Sequence, residues 1–157
     1  MPKYYKSLLT QNMFISKDDS STIDKDVLRT KGCFKDKEKS QFITNVLRAF
    51  AKRNPDIAYL QGFNFIVDFL WQKGFDEEST FWIFCYIAEN LILKKYHLNL
   101  TLLFVDVKLF KYILYNKNKK LFRKLMKNQI DLFYIIHKWF LVNFLNISNL
   151  KVSFILI

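Results

Sequence analysis

Glycine, proline and cysteine are scarce in this chain. Its 157 residues include three glycines, two prolines and two cysteines. So few turn-forming residues disfavour a β-sandwich or barrel and favour long helices joined by short loops. Cys33 and Cys85 lie far apart, with no CxxC pattern and no histidine grouped around them. Neither a zinc site nor a disulfide framework is therefore indicated, and a reducing, cytoplasmic compartment is expected.

Long uncharged apolar runs are also missing. The C-terminal stretch is rich in apolar residues, and its longest uncharged run, from Trp139 to Leu150, is twelve residues long. A bilayer-spanning helix needs about 20. We interpret this run as part of a buried core helix and expect no transmembrane span. The first residues, MPKYYKSLLTQNMF, lack the apolar core of a signal peptide.

Acidic residues are fewer than basic residues, and the net charge is +11. Such a charge is typical of surfaces that bind nucleic acid, anionic lipid or an acidic partner. However, lysine outnumbers arginine 21 to 4, and the nearest approach to a basic tract is residues 115–127. Solvated helix faces and a biased genome explain this composition better. A basic protein that binds RNA or a membrane is therefore the weakest hypothesis, and we expect no nucleic-acid partner.

Hydrophobic residues make up 51% of the chain, and aromatic residues 18%. A chain of this length suits one domain with a substantial core. No convincing alternation of period two occurs, so the fold class is predicted to be all-α, without repeats. Apolar spacing predicts a helix over 38–53 that Asn54-Pro55 ends, and a central helix over 62–73 that Gly74 ends. We predict a polar loop over 16–21 and an N-cap at Asp76; further helices are predicted at 3–9, 101–115, 119–127 and 130–146.

The stretch DIAYLQGFNFIVDF enters the central helix in an unusual way. Gln61 and Gly62 precede it, where a structural cap is ordinarily Ser, Asp or Thr. A long amide beside a residue that permits tight backbone conformations can be a packing accident, or a polar side chain presented to a partner.

Two motifs taken together favour the second interpretation. IDKDVLR matches I-x-x-D-x-x-R through Ile23, Asp26 and Arg29, and YLQGFN matches Y-x-Q-G-x-N. These motifs resemble the two signatures of the TBC domain, the Rab-GTPase-activating fold. The intervening NVLRAFAKRNPDIAYLQG and the downstream DEESTFWIFCYIAEN and HKWFLVNF resemble that family as well. The resemblance implies a multi-helix TBC fold over 1–157 as a single domain, with its motif core at 23–64.

The family resemblance also implies roles for individual residues. Arg29 is the expected arginine finger and Gln61 the expected glutamine finger, both supplied in trans to a Rab-type GTPase. Asp26 is expected to orient Arg29, and Gly62 to let the finger loop approach the nucleotide closely. Supporting roles in that loop are expected for two more residues, Tyr59 and Asn64. The protein would then be an enzyme regulator in vesicle trafficking, with no cofactor of its own, because GTP and magnesium belong to the partner.

Simpler interpretations stand beside these roles. Asp26 with Arg29 can be a surface ion pair that contributes little, Gln61 an exposed loop amide, and Tyr59, Phe63 and Phe65 core residues. The chain also departs from the family: an early Arg-x-x-x-Trp element is missing, Lys31-Gly32 replace an aromatic and a proline, and LNISNLKVSFILI does not align. We therefore expect a partial domain that lacks some N-terminal and C-terminal helices. The alternative function is a catalytically inactive module that binds a GTPase or another protein.

Overall fold

The computed structural model describes residues 2–11, 14–93 and 100–141. The chain divides into two compact units, residues 1–89 and 90–157. Within the described ranges the regular structure is helical and contains no strand, so the all-α prediction is confirmed. The prediction of a single domain over 1–157 stays a prediction.

The first unit contains five α-helices in chain order. They are α1 (Pro2–Thr10), α2 (Lys17–Arg29), α3 (Lys37–Arg53), α4 (Phe63–Gln72) and α5 (Glu77–Tyr86). A π-helical segment, Ile87–Leu93, follows α5. The helices predicted over 3–9, 38–53 and 62–73 are confirmed to within one residue at each end. The predicted Asp76 cap is also present, since its side chain accepts a hydrogen bond from the Ser79 N–H at 3.0 Å.

The start of α2 corrects one prediction. Residues 16–21 were expected to form a polar loop, but the helix already begins at Lys17. The Ser16 hydroxyl accepts a hydrogen bond from the Asp19 N–H at 3.0 Å, so it satisfies one of the free donors at the helix start. Asp18 and Asp19 then lie in the first turn, where their charges favour the helix dipole. The polar residues of this stretch are thus a helix-starting signal.

Helix α3 is at the centre of the first unit and packs against the other four helices. Phe50 of α3 meets Phe63 of α4 and Phe84 of α5, with ring centroids 5.5 and 4.9 Å away. All three rings are fully buried, and they join three helices into one aromatic core. Helix α4 is mostly buried, as predicted, but Phe65, which was expected in the core, is 36% exposed.

The second unit contains three described α-helices, namely α6 (Leu100–Lys117), α7 (Lys119–Lys127) and α8 (Leu132–Leu141). Val107, Leu132 and Ile136 form its buried core. The prediction of a core helix over residues 139–150 falls mostly outside the described residues, as does the end of the helix predicted over 130–146. None of the helices in the described ranges is long and apolar enough to cross a membrane.

Candidate functional site

The C-terminal end of α2 places one buried and one exposed charge side by side. Arg29 is the last residue of the helix, and Asp26 lies three residues earlier on the same face. The guanidinium of Arg29 donates a hydrogen bond to Asp26 Oδ1. The Asp26 side chain is 2% exposed and that of Arg29 is 60% exposed. The pair is therefore not a surface ion pair: a buried carboxylate holds an arginine that reaches into solvent.

A tight turn before α4 carries Gln61 and Gly62. The Leu60 carbonyl accepts a hydrogen bond from the Phe63 N–H at 3.1 Å, which closes a four-residue turn. Gly62, the third residue of the turn, has φ 109° and ψ −15°, the conformation found at that position in type II turns. An L side chain is strained there, so the chain uses glycine and forgoes a side-chain cap. Gln61 occupies the second position, exposed to solvent.

Buried hydrogen bonds join this turn to the end of α2. The Tyr59 hydroxyl donates to Asp26 Oδ2 at 2.8 Å and lies 3.3 Å from Asn64 Oδ1. Asn64 Nδ2 donates to Thr30 Oγ1 at 2.9 Å and to the Asp26 carbonyl at 3.3 Å. The Thr30 hydroxyl donates to the same carbonyl at 2.8 Å. We call Asp26, Thr30, Tyr59 and Asn64 the buried network.

The hydroxyl of Tyr59 is suited to donating a hydrogen bond. Burial raises the pKa of its phenol well above the ordinary value, although nearby backbone N–H groups and the charge of Arg29 lower it in part. The hydroxyl therefore keeps its proton at neutral pH. A protonated phenol can donate to the Asp26 carboxylate, and hydrogen bonds of this kind to an ionised acceptor are among the stronger ones in proteins.

A buried ion pair holds the segment that follows Arg29. The ammonium of Lys39 lies 2.5 Å from Asp68 Oδ1 and donates to the Lys31 carbonyl at 2.8 Å. Both charged side chains are 10% exposed. The sequence interpretation missed this contact. Its signal was available, because Lys39 shares the apolar face of α3 and Asp68 interrupts an apolar run in α4.

The structure thus brings four of the six predicted site residues into one hydrogen-bonded group: Asp26, Arg29, Tyr59 and Asn64. The remaining two, Gln61 and Gly62, form the turn between Tyr59 and Asn64. Thr30 is a member that sequence reasoning missed, although it directly follows the arginine of the first motif. The functional roles assigned to these residues stay predictions.

The part of the chain that the structure describes contains no cluster of metal-ligating side chains. No group of three or more His, Cys, Asp or Glu side chains there could hold an ion. Cys33 and Cys85 are buried, unbridged thiols. His97 and the side chain of His137 lie outside the described part of the chain.

The described chain is all-α, and its two sequence motifs are joined by one buried network. The family model of the Rab-GTPase-TBC domain matches residues 2–157, and the chain belongs to this family. It is 33% identical over 152 residues to TBC1 domain family member 2B of Mus musculus, with 92% of this chain and 16% of that protein covered. It is 31% identical over 163 residues to TBC1 domain family member 2A of Bos taurus, with 95% and 17% covered. The chain thus spans about a sixth of these relatives.

Proposed function

We propose that this chain is a GTPase-activating domain that stimulates GTP hydrolysis by a Rab-type GTPase, with Arg29 and Gln61 supplied in trans. The observation that carries the proposal is the 2.8 Å hydrogen bond from Tyr59 to Asp26. It links the two signature motifs, which lie more than thirty positions apart in the sequence, so that one network supports both exposed side chains. Membership of the Rab-GTPase-TBC family supports the choice of partner.

Arginine suits the chemistry because of the charge that forms during phosphoryl transfer. Negative charge develops on the transferred phosphoryl group and on the leaving oxygen, and a GTPase alone neutralises it poorly. A guanidinium supplied in trans brings a permanent cation with several fixed donors, and such a finger raises the rate by about 10³ to 10⁵. Asp26 holds one side of the Arg29 guanidinium, which limits the conformational entropy that the finger loses on reaching the nucleotide.

Gln61 would act on the attacking water. A carboxamide can accept a hydrogen bond from the water and donate one to a phosphoryl oxygen, which aligns the nucleophile. Gly62, the neighbour of Gln61 in the turn, has no side chain and so adds no bulk beside it. Since the chain supplies only side chains, the proposal needs no resident cofactor: nucleotide and magnesium come with the partner. We also propose that any contact with endomembranes is peripheral and occurs through that partner.

The test of the proposal is single-turnover GTP hydrolysis by a panel of Rab proteins, with and without the chain. At least one Rab should be stimulated by about 10³-fold or more. Because Gln61 replaces the function of the partner's own glutamine, a Rab with that glutamine changed to leucine should still respond. Gln61→Ala should abolish most of the stimulation. The matched control is Gln11→Ala, which removes another exposed amide of the first unit and should leave the stimulated rate unchanged.

Two outcomes would count against the proposal in different ways. If the glutamine-substituted Rab cannot be stimulated at all, the role of Gln61 is wrong. If the folded chain binds a Rab without accelerating hydrolysis for any member of the panel, the inactive binding module is the better description. A circular dichroism melt of every variant would confirm that the compared proteins are folded.

A further inference from the structure

An acidic groove with an aromatic floor lies on the first unit. It is open to solvent, with a volume of about 730 Å³ between the start of α3, the end of α4 and the start of α5. Phe42 and Trp71 form the floor in an edge-to-face pair, with centroids 4.7 Å apart. The wall beside them carries Phe75, which is 41% exposed. A large aromatic side chain left at the surface beside a concavity is typical of recognition sites.

Three carboxylates rim the groove: Glu38, Asp76 and Glu77. None of the residues that line it is basic, and all of them lie in the described part of the chain. The nearby ammonium of Lys73 lies over the ring of Phe69, 5.4 Å from its centroid. The rim is therefore locally negative on a chain whose net charge is +11.

Two of these carboxylates are held in place. The Tyr5 hydroxyl donates to Glu77 Oε1 at 2.7 Å, and Asn45 Nδ2 lies 3.3 Å from both Glu77 oxygens. Hydrogen bonds from the Ser79 side chain and N–H hold the pKa of Asp76 below its ordinary value. Both side chains are thus held in fixed orientations, which lowers the cost of binding a cation.

We infer that this groove is a docking site for an extended peptide segment that carries an arginine next to an apolar side chain. A guanidinium can stack on the exposed aromatic ring while its N–H groups meet the carboxylates of the rim. The apolar neighbour can cover the remaining aromatic floor. Arginine suits this combination better than lysine, because its planar fork can stack and form bidentate hydrogen bonds at the same time.

The positive net charge of the chain opposes non-specific binding of a basic peptide. A chain with net charge +11 repels a cationic peptide at long range, so non-specific attraction cannot produce the expected binding. Nucleic acid and anionic membrane, by contrast, would be attracted to the chain as a whole and repelled by this groove. Binding of a basic peptide therefore requires local complementarity, and it is independent of the proposed GTPase activation.

The experiment is a fluorescence-anisotropy titration of the whole chain into a labelled Gly-Leu-Arg-Arg-Leu-Gly peptide. Saturable binding with a Kd of about 100 μM or tighter is expected, as for a small exposed motif in a groove. The same peptide with glutamate at both arginine positions should not bind. The version with lysine at both positions should bind at least about threefold more weakly.

Matched variants locate the site. Glu38→Lys should weaken binding by about fivefold or more, whereas Glu78→Lys should change it by less than about twofold. Both residues lie in the first turn of a helix, so the net charge changes equally, but only Glu38 lines the groove. In the same way, Phe75→Ala should weaken binding by about threefold to tenfold, and Phe34→Ala, at a ring that is 84% exposed elsewhere, should not.

Three results would overturn the inference. They are the absence of saturable binding by the folded chain, equal losses for the two charge reversals, and equal losses for the two phenylalanine substitutions. Preference for the glutamate peptide, or displacement of the arginine peptide by RNA or anionic vesicles, would also contradict it. Equal thermal melts for the variants of each pair ensure that a lost interaction reflects the groove and not the fold.

Discussion

Replacing Asp26 by asparagine should destabilise the first unit far more than the same change at Asp24. Both aspartates lie on α2 and both contact an arginine, which makes them a matched pair. Asp24 Oδ1 lies 2.9 Å from Arg48 at the surface, with the two side chains 49% and 40% exposed. Asp26 is 2% exposed and also accepts a hydrogen bond from Tyr59.

The magnitude follows from these contacts. A hydrogen bond to a buried charged group contributes about 1.5 to 3 kcal/mol. The contact with Arg29 adds less than about 1 kcal/mol, because that guanidinium is largely solvated and the interaction is screened. Asparagine keeps the shape but has one acceptor oxygen where the carboxylate has two, so one of the two donors would face an N–H group. Asp26→Asn should therefore cost about 2 to 3 kcal/mol. The surface pair predicts a loss below about 1 kcal/mol for Asp24→Asn.

The assay is urea unfolding followed by circular dichroism, with thermal melts in parallel. A loss of 2 to 3 kcal/mol corresponds to a fall in Tm of about 5 to 10 °C for a chain of this size. A double-mutant cycle with Tyr59→Phe should give a coupling free energy of about 1 kcal/mol or more, because the two groups are in direct contact. Equal costs for the two aspartate changes, or a coupling free energy near zero, would refute the buried network as a source of stability.

Three further predictions test separate parts of the structure. Gly62→Ala should lower both the free energy of unfolding, by about 1 kcal/mol or more, and the stimulated GTPase rate, because φ 109° strains an L side chain; denaturant unfolding and hydrolysis assays measure the two effects. Phe63→Ala should cost about 3 to 5 kcal/mol, whereas Phe65→Ala on the half-exposed side of α4 should cost much less, as thermal melts of the two variants would show. Burial opposes ionisation of Glu89, but hydrogen bonds from Arg53 and a neighbouring amide outweigh it and lower the pKa below 4.5. Glu89 therefore stabilises the fold above pH 4.5, and this contribution is lost as the pH falls through the folded pKa. Because Glu89→Gln lacks this contribution, its free energy of unfolding should fall less than that of the unaltered chain over that acid range.

The helices could be predicted from the sequence wherever one strong local signal set them. Apolar spacing and the Asn54-Pro55 break determined the bounds of α3, and Asp76 marked the start of α5. The start of α2 was mispredicted because Ser16 and the aspartates after it were interpreted as loop polarity. Their geometry as a cap depends on backbone angles that composition does not encode.

Most members of the site could be predicted, but Thr30 and the burial of Asp26 could not. Two motifs supplied Asp26, Arg29 and Gln61, yet spacing along one helix could not show that the aspartate is buried by packing from distant helices. The same limit applies to the pair Lys39–Asp68, whose members come from different helices. Contacts between elements depend on tertiary packing, which overrides local preference.

The most direct test of the central claim is the effect of Arg29→Ala on a responsive Rab, measured as both the stimulated hydrolysis rate and the affinity of the complex. The matched control is Arg48→Ala, which removes another arginine paired with an aspartate of α2. If Arg29 acts in the transition state, its loss should lower the stimulated rate by about 10³-fold or more while Kd changes by less than about tenfold. Arg29→Lys should recover little of the rate, and Arg48→Ala should retain nearly all of it. A stimulated rate that survives Arg29→Ala, or that falls equally with Arg48→Ala, would contradict the assignment of Arg29 as the arginine finger.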